Sequence, residues 1–187
     1  DTVIQRLSKD AIAELDELNQ VAILVEIYIE HFYTLNELHI INEDKESFHK
    51  IKRLYLNSFL KEFRTFVSKD GDVDYMKHPL LRTIFKQIVE IEDNIRKRLS
   101  SLKSGDLSDV LQYEGHDLIN DRYVIPIRTD SYRTSHGQII SRSDSGQTLL
   151  IEPSSLKDSN YKRLELVIEL KKEISALTRR FSTSLKQ

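Results

Sequence analysis

The 187-residue chain has no cysteine and no tryptophan, one methionine, three prolines and five glycines. Without cysteine there is no disulfide framework and no thiolate metal site. No apolar run approaches the length of a membrane span, and no signal or transit segment is visible, so the expected setting is cytoplasmic. The chain opens at Asp1 without a methionine, from which we expect a piece of a longer protein. The glycines at 71, 105, 115, 137 and 146 never form Gly-x-x-x-x-Gly-Lys-(Ser/Thr), the loop whose amides cradle phosphates. Gly-x-Gly-x-x-Gly and His-Glu-x-x-His are equally absent. His31, His39, His49, His78, His116 and His136 show no ligand spacing. Asp70, Asp72 and Asp74 suggest a calcium loop, but Tyr75 and Leu81 stand where that loop requires Gly and Glu. We therefore expect no catalytic residue, metal or cofactor in this stretch.

Hydrophobic residues make up 39% and charged ones 31%, a globular balance. The net charge of −2 on its own argues against a strong nucleic-acid binder. Its distribution is uneven: residues 1–77 carry net −5, 78–119 net −1, 120–153 net 0 and 154–187 net +4. Apolar residues recur at helical spacing in four segments. Residues 3–40 carry Leu15, Leu18, Ala22, Val25, Ile29 and Phe32, with Ser8 or Asp10 as candidate caps. After a break at Asn42–Asp44 comes a stripe of Phe48, Ile51, Leu54, Tyr55, Phe59, Phe63 and Phe66, whose aromatics read as core. From Pro79 to about Lys103, Leu81, Ile84, Ile88, Ile91, Ile95, Leu99 and Leu102 form a coiled-coil-like seam on a helix roughly 36 Å long. The last helix, capped by Ser154 or Ser155, carries Leu164, Val167, Leu170, Ile174, Leu177 and Phe181.

Between the last two helices the pattern changes. In Asn120–Pro153, Tyr123, Ile125 and Ile127 alternate with Arg122, Val124 and Arg128, a period-2 strand pattern. Pro126 cannot donate to a ladder, so this strand is expected at an edge. Gly137–Arg142 and Thr148–Glu152 are further strands, joined by the turn residues Asp144-Ser145-Gly146. The predicted fold is mainly α: long antiparallel helices with a small antiparallel β element inserted between two of them. Its organisation is a helical core and first arm (1–113), a β-rich element (114–153) and a returning helix (154–187). All four cations of the stretch Asn120–Pro153 are arginines, Arg122, Arg128, Arg133 and Arg142; arginine holds phosphate in a fork that lysine lacks. A solvated surface balanced by its own acids is the bland alternative.

The same stretch resembles the MutS family of DNA mismatch-repair and recombination ATPases, in particular its second bacterial branch. The resemblance rests on Asp121, Arg122, Tyr123, Val124, Pro126 and Arg128, then Ser143, Ser145, Gly146, Thr148, Leu149, Ile151, Glu152 and Pro153, in order. It extends over residues 70–187 and is loose over 1–69. Ile140-Ser141 and Lys77-His78 depart from the family pattern. The resemblance implies the helical core and lever of a MutS-like ATPase, with the β element as a clamp that touches duplex or branched DNA backbone without reading sequence. Arg122, Arg128, Arg133 and Arg142 would make the contact, with Ser143 and Ser145 as auxiliary donors. The ATPase domain, with its ATP and magnesium, would lie elsewhere in the parent protein and would make the homodimer; the stretch itself is expected to be non-catalytic. Two alternatives keep the fold: a clamp on stalled or collided ribosomes, and a structural helical arm without nucleic-acid contact.

Overall fold

The computed structural model describes residues 14–37 and 55–184. The candidate caps Ser8 and Asp10, the break at Asn42–Asp44, and Phe48, Ile51 and Leu54 lie outside the described residues, as does the side chain of Phe32. The described chain is mostly helical, with one small antiparallel sheet. Its helices are α1 (Leu15–Glu37), α2 (helical residues 55–63), α3 (Pro79–Ser104) and α4 (Lys157–Ser184). The strands are β1 (Asp117–Ile119), β2 (Arg122–Arg128), β3 (Gly137–Arg142) and β4 (Thr148–Pro153). None of the described helices is long and apolar enough to cross a membrane. Two compact units divide these elements, one ending at Arg82 and resuming at Lys171, the other being Thr83–Leu170.

In the first unit α1 buries Leu18, Asn19, Ala22 and Val25, one stripe of an amphipathic helix. The core is aromatic. Phe59, Phe63 and Phe66 surround Phe181 of α4, with ring centroids 5.3–5.9 Å from it, distances at which offset and edge-on packing are favourable. Arg64 ties the helices together: Nε donates to Glu26 Oε1 at 2.9 Å, and Nη1 to Asn19 Oδ1 and to the Ser68 carbonyl, both at 2.7 Å. The expected turn follows, closed by the Ser68 amide donating to the Asp72 carbonyl at 2.8 Å. Asp74 Oδ1 then accepts from the amides of Met76 and Lys77, just before Pro79 opens α3, a position where its missing N–H is not needed.

In the second unit α3 buries Ile84, Ile88, Ile95 and Leu99 of its apolar stripe, with Ile91 and Leu102 half-buried beside them. Ile95 and Leu99 join Leu107, Tyr123, Ile125, Ile127, Leu149, Ile151 and Leu156 in one core, so the sheet rests on α3. The strand order is β1-β2-β4-β3, antiparallel throughout. β2 is therefore not the edge strand that Pro126 suggested. The Pro126 carbonyl accepts from the Gln112 amide at 3.0 Å. In an antiparallel ladder a residue's N and C=O face the same neighbour, so the missing donor faces the 111–112 flank and not β4. That flank contributes a single bridge, Leu111↔Ile127, and tolerates the gap. β1 was not anticipated; it pairs with β2 through the two-residue turn Asn120-Asp121, both at positive φ (51° and 62°), the conformation of a tight hairpin.

Ser154 and Ser155 do not cap the last helix. They belong to a 3-10 turn, Ser154–Leu156, and α4 starts at Lys157. The buried side of its first turns is Asn160, Arg163, Leu166 and Leu170, rotated from the stripe that starts at Leu164. The shift follows from partners: Arg163 Nε donates to Glu92 Oε1 of α3 at 2.7 Å, and its guanidinium lies 5.4 Å over the Tyr123 ring. A charge can be buried when it is paired in this way.

Candidate nucleic-acid interface

The β3–β4 hairpin folds its turn through its own serines. Ser143 N donates to the Thr148 carbonyl at 3.0 Å, and Thr148 N donates to Ser143 Oγ at 3.1 Å. Ser145 Oγ accepts from Gln147 N at 3.4 Å and lies 3.3 Å from Ser143 Oγ. Gly146 takes φ +70°, and nothing lies within 4 Å of where a Cβ would stand. It is needed for conformation, and the backbone beside it is open. The end of β2 is fastened here as well: Thr129 N donates to the Gln147 carbonyl at 3.0 Å, and Thr129 Oγ1 to the Gly146 carbonyl at 2.6 Å.

Register places the cations. Arg128 pairs with Thr148 and Arg142 with Leu149, so both lie at the hairpin end of the sheet with Ser143 and Ser145, on opposite faces and with β4 between their strands. A groove there is lined by Gln112, Arg128, Thr129, Asp130, Ser145, Gly146 and Gln147. Arg128 is exposed but oriented: Nη2 donates to the Asp109 carbonyl at 2.6 Å and to Ser131 Oγ at 3.4 Å, with Asp130 Oδ1 3.8 Å from Nε. Arg142 is exposed and forms no ion pair among the described residues. Arg133 is exposed too, but sits beside the opposite end of β3; its amide donates to His136 Nδ1 at 3.2 Å, just before Gly137 pairs with Pro153.

Arg122 lies at the far end of β2, six residues from Arg128 and so roughly 20 Å away along the strand. Its Nη1 donates to Glu152 Oε2 at 2.9 Å, and that carboxylate is only 2% exposed. Glu152 Oε1 accepts from Asn160 Nδ2 at 2.8 Å. Asn160 also brackets the Tyr123 backbone, accepting from its amide and donating to its carbonyl, both at 3.1 Å. Arg163 completes the junction through Glu92 and Asp121, its Nη1 3.7 Å from Asp121 Oδ1. Asp121, Arg122, Tyr123 and Glu152 thus serve this junction at the base of the sheet. Asn160, Arg163 and Glu92 escape a sequence reading because their partners lie between 8 and 71 residues away. Among the described residues no cluster of three or more His, Cys, Asp or Glu could hold a metal ion.

No protein-family model matches the chain. Curated relatives do. It is 33% identical over 133 residues to Endonuclease MutS2 of Bacillus velezensis, covering 70% of this chain and 17% of that protein. Endonuclease MutS2 of Listeria monocytogenes is 34% identical over 134 residues, 71% of this chain and 17% of the relative. That of Ligilactobacillus salivarius is 31% identical over 126 residues, 67% and 16%. The chain spans about one sixth of the length of these relatives. With the two strand motifs in order on β2 and β4 and this similarity over two thirds of its residues, the chain belongs to the MutS2 branch of the MutS family.

Proposed function

We propose that this chain is the non-catalytic arm-and-clamp part of a MutS-like, DNA-handling protein, and that the hairpin end of its sheet grips nucleic-acid backbone without reading sequence. The observation that carries this reading is Arg128 set beside the Ser145–Gln147 turn in one groove at the hairpin end of the sheet, with Arg142 at the same end on the opposite face. Guanidinium groups, hydroxyls and accessible backbone suit phosphate oxygens, and phosphate contacts position a protein without specifying a sequence. α3 and α4 would run antiparallel as the arms that carry the sheet, with duplex or branched DNA as partner. The relatives' name, endonuclease, supports a nucleic-acid substrate for the whole protein. Its ATP, magnesium and dimer contacts would lie in other parts of that protein, because this sequence holds no phosphate-binding loop. Arg122, committed to Glu152, contributes to the base of the sheet; Arg133 would reach backbone only on a longer footprint.

Two phosphates neutralised by Arg128 and Arg142 give a slope of log affinity against log salt of roughly −2, and Arg133 would bring it to roughly −3. The test is a salt titration of duplex binding by the chain and by the Arg128→Ala, Arg142→Ala double variant. The expected result is weak binding whose slope falls toward zero in the variant. Equal affinity and equal slope in the two proteins would sink the grip and leave a structural arm. Preference for a ribosome over duplex, at the same salt, would redirect the grip to that partner.

A further inference from the structure

The β2–β4 ladder stops one step early, and the residue that stops it names the replacement. Ile125 pairs with Ile151 and Ile127 with Leu149. Continuing that register sets Tyr123 opposite Pro153. Residues 123, 125 and 127 turn their N and C=O toward β4, since the intervening Pro126 turns its own toward Gln112. Tyr123 therefore needs a donor and an acceptor at a position where proline has no N–H to give. The Asn160 side-chain amide occupies that place. It accepts from Tyr123 N and donates to Tyr123 O, both at 3.1 Å, and is itself 1% exposed. The same Nδ2 reaches Glu152 Oε1, the residue before Pro153, at 2.8 Å.

We propose that Asn160 is a positioning residue: its amide stands in for a strand residue, grafts β2 onto α4, and so sets the direction in which the hairpin end of the sheet points. Two features make this more than a buried hydrogen bond. The sheet has a core of its own with Ile95, Leu99, Leu107 and Leu156, so it can persist without Asn160. Two polar side chains of helix α4, Asn160 and Arg163, reach the start of β2, and of these only Asn160 bonds the strand's N–H and C=O together. The functional consequence rests on the proposed grip; the joint itself does not.

The chain has no cysteine, so Asp144→Cys at the hairpin tip and Glu169→Cys on α4 give two unique spin-label sites in the full chain. Pulsed dipolar spectroscopy then reads the width of the distance distribution between them. A narrow distribution is expected for the parent and a broad one for Asn160→Ala, measured well below its melting temperature and with the β2–β4 amide pattern retained. Asn160→Asp keeps the size and the acceptor but loses both donors; it should also broaden, and it serves if the alanine variant fails to fold. Adding Pro153→Ala to Asn160→Ala restores an N–H opposite the Tyr123 carbonyl and should narrow the distribution again. A lowered melting temperature with unchanged width would make Asn160 a stabilising residue only and overturn the proposal. So would a Pro153→Ala substitution that leaves the broadened distribution as it was. Duplex binding by the arginine variants is read separately, so its failure would remove the grip and leave the joint standing.

Discussion

Gly137 carries the tightest steric constraint in the sheet. It takes φ +144°, and a Cβ there would stand 2.0 Å from the Glu152 carbonyl oxygen. That contact is with backbone inside a ladder and cannot move aside. Gly137→Ala should cost about 3 kcal/mol or more, at the severe end for a single substitution. Gly146→Ala meets only the left-handed backbone penalty of about 1–2 kcal/mol, because the space around it is open. Denaturant melts of the two variants test the order; a Gly146 variant as unstable as the Gly137 one would contradict it. Asp74 offers a titration. The Lys77 ammonium beside its carboxylate, with amides from Lys77 and Met76, holds its pKa below the ordinary 3.8. The folded value lies below the unfolded one, so the stabilisation is complete above pH 3.8 and is lost as pH falls through the folded value. Asp74→Asn should therefore lower the melting temperature at neutral pH, with the gap to the parent closing on the acid limb. A gap that widens in acid would reverse the assignment.

At the scale of elements, Ile95 is where α3 meets the sheet: it is fully buried among Leu99, Ile125 and Ile151. Ile95→Asp would leave an unpaired charge in that core and should cost more than about 4 kcal/mol, read as loss of the cooperative melt of Thr83–Leu170. An unchanged melt would mean that the helix and sheet do not share a core. The seam containing Ile95 was legible in the sequence because its apolar residues keep one helical period from Leu81 to Leu102. The three longer strands were located too, through their β-branched residues and the Asp144–Gly146 turn, but the alternation read into β2 is not found: Val124, Ile125, Pro126 and Ile127 are all buried. β1 was not located: Asp117 and Leu118 are exposed, so burial writes no alternation into it, and only pairing across Asn120-Asp121 defines it. Leu170, Leu177 and Phe181 of the expected α4 stripe are buried, but the face of its first turns differs for a related reason. Asn160 and Arg163 are polar, and their burial depends on Glu152 and Glu92, which no local window contains. For the candidate site, the hairpin turn already placed Ser143 and Ser145 beside Arg142, whereas bringing Arg128 to that turn required the ladder register.

For the whole molecule, the expected grip of one chain is weak, and geometry supplies what contact number does not. Two copies joined by a flexible linker long enough to span one duplex should bind more tightly than one by a factor of 10² or more, through effective concentration. Equal affinity for linked and single copies, measured at the same salt, would argue against simultaneous engagement. The proposed grip on nucleic acid would then need another source of avidity. A different consequence follows from how the rings are distributed. Phe59, Phe63, Phe66 and Phe181 are locked together in the core of one unit, while the buried ring of the other is Tyr123 under Arg163. No tryptophan overlays either signal. The phenylalanines therefore serve as an optical label for the first unit. In near-ultraviolet circular dichroism, phenylalanine fine structure reports chiefly on the first unit, whereas the tyrosine band reports on both, four of the eight tyrosines lying in each; a phenylalanine signal lost apart from the tyrosine band in one unlabelled melt would show the units coming apart separately.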